Sequence, residues 1–174
     1  MMRGARAERR AERRQVRASR VILADPHRIF QILADPRTHA VLDGSGTVRG
    51  EPSGPDRLAP GSTFTMAMRQ AGTAYRSTNR VVEYQPDRVL AWESGGYWHG
   101  RKIVGGQRWR FTMHPHRGGT LIGHAYVWGH ASKPLLTVWL PGYPRRMRPA
   151  MEQTLANLAQ LVEEERPWRA GSVA

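Results

Sequence analysis

From Ser62 to Trp128 apolar and polar side chains alternate with a period of two. That period sends successive side chains to opposite faces, so these segments read as strands with one apolar face. In STFTMAMR, Phe64, Met66 and Met68 share one face while Thr63, Thr65 and Ala67 take the other. In TAYRSTNRVVEY, Arg76 and Arg80 require water, which turns Tyr75, Ser77, Asn79 and Val81 inward. Gln85-Pro86-Asp87 is a tight turn with proline at its second position, and RVLAWES, which carries Trp92, returns as the partner strand. QRWRFTMHP points Trp109, Phe111 and Met113 inward against Arg108 and Arg110 outward, and TLIGHAYVWGH gathers Ile122, His124, Tyr126 and Trp128 on one side. Between these strands the glycine-flanked segment Gly95 to Gly106 reads as a long, mobile hairpin loop holding Tyr97, Trp98 and His99.

The period changes near the C-terminus. Met151, Leu155, Leu158 and Val162, with Ala159 beside them, recur at helical spacing between Pro149 and Glu165. Pro149 suits a first helical position, Pro167 suits a stop, and the helix would be about 25 Å long. Upstream, Gln15 to Leu23 alternates as a first strand, and Asp25 caps a short helix with Pro26 at its first position. Ile29, Phe30, Ile32 and Leu33 form its buried side, Asp35-Pro36 ends it, and a second helical turn covers Thr38 to Leu42. The glycine- and proline-rich stretch after Leu42 leaves room for one short strand around Thr47 to Glu51 and a turn at Pro55-Asp56. The sum is an α+β protein: a curved antiparallel sheet of about seven strands wrapped around a long C-terminal helix, with two short helices after strand 1. The space between sheet and helix then decides function.

Composition narrows the class. At 174 residues the chain suits one domain with a core large enough to enclose a cavity. It has no cysteine, which removes disulfides and thiolate chemistry. No apolar run approaches a membrane span and no signal-peptide pattern is present, so a soluble, cytoplasmic protein is expected. The formal net charge is +13, which by itself points toward nucleic acid or an anionic membrane. Yet the first 20 residues hold eight arginines against Glu8 and Glu12, and so account for +6 of it. Residues 1–14 are read as a solvated, disordered basic leader ahead of a domain over 15–166 and a tail over 167–174. Contact of that leader with nucleic acid or an anionic membrane is the lesser reading.

Several stretches carry a resemblance. SRVILADPHRIFQILADPRTH with its D-P-x-x-H ending, DGSGTV at Asp43 to Val48, VVEYQPDRVLAWE at Val81 to Glu93, the W-x-F strand at Trp109 to Phe111, and GTLIGHAYVW all bear it. Together they resemble the START-like, or SRPBCC, helix-grip superfamily, in particular its bacterial polyketide cyclase/dehydrase-like branch. The resemblance covers about residues 15 to 166. It implies a deep cavity between sheet and terminal helix that takes a mainly apolar small molecule. Function within the superfamily ranges over cyclases, aromatases, carriers and receptors, so the fold does not choose among them.

The inward faces supply the expected wall: Phe64, Met66, Met68, Tyr75, Ser77, Asn79, Trp92, Trp109, Phe111, His124, Tyr126, Trp128, Met147, Met151 and Leu155. Without the resemblance, such a stripe reads as ordinary core. The polar members are the better clue. Ser77, Asn79, His124 and also Glu93 would each cost about 1–3 kcal/mol if buried unpartnered, which favours a wet pocket. For proton transfer next to a carbonyl, His124 is the candidate base and Tyr75 or Tyr126 the hydrogen-bond donor. Asp43, beside His39, is a second acid/base candidate at the mouth. The competing readings are a histidine satisfied across strands and an aspartate shaping the turn at Gly44. His114, His116, His124 and His130 lie on neighbouring strands, but the close pair straddles a turn with no adjacent carboxylate, so no metal is expected. No phosphate loop or nucleophile elbow appears, and no cofactor is expected.

Three functions follow. Foremost is a binder of a small hydrophobic or aromatic ligand, polyketide-like or lipid-like, gated by Gly95 to Gly106 and Pro141 to Arg148. Next is a cofactor-independent cyclase, aromatase or dehydratase using His124, Tyr75 or Asp43. Last is an interaction protein working through its arginine-rich arm. The oligomeric state stays open, a homodimer among the options.

Overall fold

The computed structural model describes residues 13–70, 72–98, 101–135, 138 and 142–164, with backbone alone at 96–98, 101–104 and 164. The first twelve residues of the expected leader, the end of the chain from 165 on, and the gate positions His99 and Pro141 lie outside the described residues.

Strand β1 (Gln15–Ile22) is followed by helix α1 (Pro26–Leu33), a 3-10 turn (Pro36–Thr38) and the single-turn helix α2 (His39–Leu42). Then come β2 (Val48–Ser53), β3 (Thr63–Gln70), β4 (Thr73–Gln85), β5 (Val89–Trp98), β6 (Arg101–His116) and β7 (Gly119–Val127), and finally helix α3 (Tyr143–Glu164). The strands form one antiparallel sheet in the order β1-β7-β6-β5-β4-β3-β2. It is a meander from β2 to β7, with β1 added beside the last strand. This is the helix-grip arrangement that the resemblance implies.

Local chemistry explains the helical insert. The Asp25 carboxylate accepts a hydrogen bond from the Arg28 N–H at 2.9 Å, Pro26 takes the first turn, and Ile29, Phe30, Ile32 and Leu33 are buried. Asp35 repeats the device for the 3-10 turn, accepting from the Arg37 N–H at 2.9 Å. At the other end of the chain α3 buries Met151, Leu155, Leu158, Ala159 and Val162. It lies chiefly against β1 and β7 and touches α1 and α2.

Two boundaries differ from expectation. Helix α3 begins at Tyr143, so Pro149 lies inside it. The proline in the first turn is Pro144, behind Gly142 with its φ of 76°. An interior proline forfeits one backbone hydrogen bond, and the burial of the stripe from Met151 on carries the helix past it. Gly95 to Gly106 is not a loop, because β5 and β6 remain paired out to Trp98 and Arg101. Gly95, Gly96, Gly105 and Gly106 sit at register shifts within the ladder. Gly105 has a φ of 87°, and a Cβ there would fall 2.5 Å from the Gly95 Cα. Glycine marks a turn in sequence, whereas here it marks a bulge.

One close approach ties the insert to α3. The Gly44 N–H donates to the Thr154 hydroxyl at 3.0 Å, and a Cβ on Gly44 would sit 2.2 Å from the Ala150 carbonyl oxygen. Gly44→Ala must therefore push the loop off the helix. The expected loss is about 1–3 kcal/mol of unfolding free energy, measured by urea denaturation. Wild-type stability in this variant would refute the contact.

Candidate functional site

The inner sheet face, α1, α2 and the start of α3 enclose a cavity of about 450 Å³ that is partly open to solvent. That volume lies within the range of small-molecule sites. Strand register sorts its sheet wall into rows. Trp92 pairs with Trp109 and Trp109 with Tyr126 across β5, β6 and β7, while Phe111 pairs with His124 in the next row. Asn79, Ser94 and Gln107 form a third row across β4, β5 and β6. Phe64, Met66 and Met68 come from β3, and Leu33, His39 and Leu42 close the opposite side.

Ring contacts make the aromatic rows continuous. The His39 ring stacks on Trp92 at 4.8 Å, Trp92 lies 5.7 Å from Phe111, Phe111 stacks on His124 at 4.0 Å, and Trp109 lies 4.6 Å from Tyr126. Such pairs add about 0.5–1.5 kcal/mol beyond simple burial and hold the wall in shape. Flat apolar surface is thereby presented to whatever enters.

Both histidines are neutral by construction. Burial lowers the His39 pKa, and its Nε2–H donates to the Leu33 carbonyl at 2.9 Å. Burial also lowers the His124 pKa, to about 3, against the opposing effect of a hydrogen bond to the Met151 backbone carbonyl. Nδ1 of His124 is buried and has no hydrogen-bond partner. The ring thus ties β7 to α3 and, with so low a pKa, is a poor acceptor of a full proton.

Asp43 sits at the rim with both oxygens occupied. Oδ1 accepts from the Ser45 N–H at 3.0 Å and the Ser45 hydroxyl at 2.7 Å, and Oδ2 accepts from the Thr47 and Val48 N–H groups at 2.7 and 2.8 Å. Four donors on one carboxylate make it the organiser of the turn into β2. Tyr75 is 44% exposed at the mouth, and burial of the rest of its ring raises its pKa. Tyr126 is buried, which raises its pKa well above the ordinary phenol value, and it is hydrogen-bonded to Gln107. The Ser94 hydroxyl donates to the Asn79 carbonyl oxygen at 2.6 Å, and the Tyr143 hydroxyl donates to Gln70 at 3.4 Å.

Of the residues expected in the wall, Phe64, Met66, Met68, Tyr75, Ser77, Asn79, Trp92, Trp109, Phe111, His124, Tyr126 and Met147 line the cavity. Trp128, Met151 and Leu155 do not. They are buried in solid core, Trp128 one residue beyond β7 with the Arg14 guanidinium 5.7 Å from its ring, and the other two on the part of α3 pressed against the sheet. Glu93 also leaves the wall: strand parity puts it on the face opposite Trp92, where it accepts from Arg108 at 3.1 Å. His39, Ser94 and Gln107 were missed. Ser94 and Gln107 follow from parity once β5 and β6 are recognised as continuous strands, whereas His39 needs the tertiary fold.

The fold and this cavity define a START-like helix-grip protein. The chain belongs to the family described as polyketide cyclase/dehydrase and lipid transport, whose sequence model matches residues 13–163. Among curated relatives, the uncharacterized protein Rv0088 of Mycobacterium tuberculosis is 44% identical over 71 residues, which is 41% of this chain and 32% of that protein. The chain thus matches only about a third of that relative's length. Among solved structures, protein NE0264 of Nitrosomonas europaea superposes with a TM-score of 0.66 at 15% identity, covering 87% of this chain and 95% of that one. The Zhui aromatase/cyclase of Streptomyces sp. R1128 superposes with a TM-score of 0.60 at 15% identity, covering 91% and 98%. At such identities the likeness is one of fold. No described helix is long and apolar enough to cross a membrane.

The histidine burial has a measurable consequence. Above pH 6.5, the ordinary value, folded and unfolded forms of His124 are both neutral. As pH falls from there toward 3, the unfolded chain takes up a proton that the folded chain refuses, so stability drops by up to about 1.4 kcal/mol per pH unit for this group. His124→Gln keeps a donor for the Met151 carbonyl and removes the titration. Its unfolding free energy should therefore fall between pH 7 and pH 5 by roughly 2 kcal/mol less than that of the wild type. Parallel curves in urea denaturation would show that the ring is not buried neutral.

Proposed function

We propose that this protein binds a mainly apolar, ring-bearing small molecule, of polyketide or lipid type, between the sheet and α3. The carrying observation is the cavity of about 450 Å³ walled by Trp92, Trp109, Phe111 and Tyr126 on one side and by Leu33, Leu42 and Met147 on the other. A void of that size left unfilled forfeits dispersion contacts along its whole lining. A cavity retained on these terms suits a ligand that restores them. The family description, which joins cyclisation to lipid transport, supports the same reading.

A catalytic extension has support from the likeness to an aromatase/cyclase and from Tyr126, a neutral phenol donor inside the cavity. Cyclisation or dehydration of a polyketide-like substrate needs such a donor at a developing enolate. Asp43 is a weaker candidate because four hydrogen bonds already hold it. His124, tied to Met151, fits a role in holding the wall.

Binding is tested with 2-isopropenylnaphthalene, an uncharged hydrocarbon that fits the volume. Saturation at a hundred times its Kd should stabilise the fold by about 2.7 kcal/mol and raise Tm accordingly. Met68→Trp, which places an indole in the cavity, should weaken binding more than about tenfold while the free protein keeps its Tm. A rise in Tm of equal size in both proteins would place the probe elsewhere.

A further inference from the structure

Four uncharged polar side chains stand together in the cavity wall, and we infer that this cluster, Asn79, Ser94, Gln107 and Tyr126, selects ligands carrying an uncharged carbonyl oxygen over ligands carrying a carboxylate. The inference rests on the cavity being the binding site and names which class of molecule the site admits.

Three of the four follow from register. Asn79 pairs with Ser94, Ser94 with Gln107, and Tyr126 lies on β7 within hydrogen-bond reach of Gln107. All four side chains line the cavity. Their hydrogen bonds have a direction. The Ser94 hydroxyl donates to Asn79 Oδ1 at 2.6 Å, and Asn79 Nδ2 donates to the Ser77 carbonyl at 3.3 Å, which uses one of its two N–H bonds. Tyr126 stands beside Gln107, and burial raises its pKa, which keeps the O–H proton in place as a donor. The cluster therefore offers a phenol O–H and an amide N–H to a guest, and both seek an acceptor oxygen.

Charge decides which acceptor. Among the described lining residues the ionised side chains are Asp43 and Arg76. Asp43 is an anion at the rim, saturated by its own turn. Arg76 lies on the exposed parity of β4 and donates to the Ser53 hydroxyl at 2.9 Å, away from the row. The two histidines of the wall are kept neutral by burial. A carboxylate in this cavity would thus lose its water with no cation to replace it, at a cost of several kcal/mol, whereas a ketone loses little and gains the two donors. The admitted class is a ring system bearing a ketone or similar carbonyl, and an ionised fatty or aromatic acid is refused. Gln107 acts as a positioning residue, since it reaches the guest through the orientation it gives Tyr126.

Three probes of one shape separate the alternatives: 2-acetylnaphthalene, 2-isopropenylnaphthalene and 2-naphthoate, titrated calorimetrically into the full chain at pH 7.5. The ketone should bind about tenfold more tightly than the hydrocarbon, and the naphthoate about a hundredfold or more weaker than the ketone. Tyr126→Phe should bring ketone and hydrocarbon affinities to within about twofold of each other. Gln107→Glu is expected to do the same, because the carboxylate would take the Tyr126 proton for itself; a merely structural Gln107 would not alter the ratio. Asn79→Leu provides an independent third variant should either fail to fold. Equal affinity for ketone and hydrocarbon in the wild type, or naphthoate binding as tightly as the ketone, overturns the inference and leaves the cavity reading intact. Failure of all three probes to bind overturns both.

Discussion

A single helix is narrower than the sheet it must cover. Seven strands at about 4.8 Å spacing span roughly 30 Å, and a helix with its side chains is only about 10 Å wide. α3 meets that mismatch by pressing chiefly against β1 and β7. The inner face of β3, β4 and β5 is then left to α1, α2 and the turn after Leu42, whose short elements cannot fill the remaining volume. The cavity is what this geometry leaves over, and the wide aromatic side chains of β5 and β6 line it. Curvature keeps the two sides apart, and the Gly44 contact with Thr154 fixes the distance.

Much of this was legible in the chain. A strict period of two in β3, β4, β6 and β7 defines both strand existence and the inward set, because a strand offers only two faces. The aspartate-proline start of α1 is equally local in origin. What was not legible shares one cause: glycine and proline have meanings that depend on neighbours far away in sequence. Pro144 and Pro149 both suit a helix start, and the burial of the stripe after Pro149 against the sheet decides between them. Gly95 and Gly105 look like the ends of a loop until the ladder runs through them. Within the site, parity alone assigns Phe64, Asn79, Trp109 and Tyr126. Neither parity nor helical spacing separates a wall residue from a core residue on the same face, so Trp128, Met151 and Leu155 read as wall from sequence although they belong to the interior. Glu93 is the converse case. It is as buried as a wall residue, yet it lies on the other face, where Arg108 compensates it.

The candidates for chemistry divide by how their polar atoms are occupied. Asp43 is saturated by three backbone N–H groups and the Ser45 hydroxyl, so its carboxylate holds a turn. His124 has one nitrogen engaged with α3 and the other covered, so its ring holds the sheet to the helix. Tyr126 is a protonated phenol at the cavity surface, and Asn79 keeps one N–H beyond its internal bonds. Residue type pointed to histidine and aspartate, whereas the hydrogen-bond inventory points to the phenol and the amide. Neutrality is common to His124, Tyr126 and Asn79, and for the two titratable rings it follows from burial in a wall whose cations face outward.

The placement of β1 has a consequence for how the protein is made. Gln15 pairs with Val127 and Ile22 with Thr120, so β1 leaves the ribosome about a hundred residues ahead of the strand it pairs with. At about 5–20 residues per second that partner emerges roughly 6–20 s later. During that interval β1 is an unpaired edge with an apolar side, the kind of segment that chaperones shield. Loops that close over a hundred residues make for high contact order, so folding of this domain should be slow for its size and its last event the docking of its first strand.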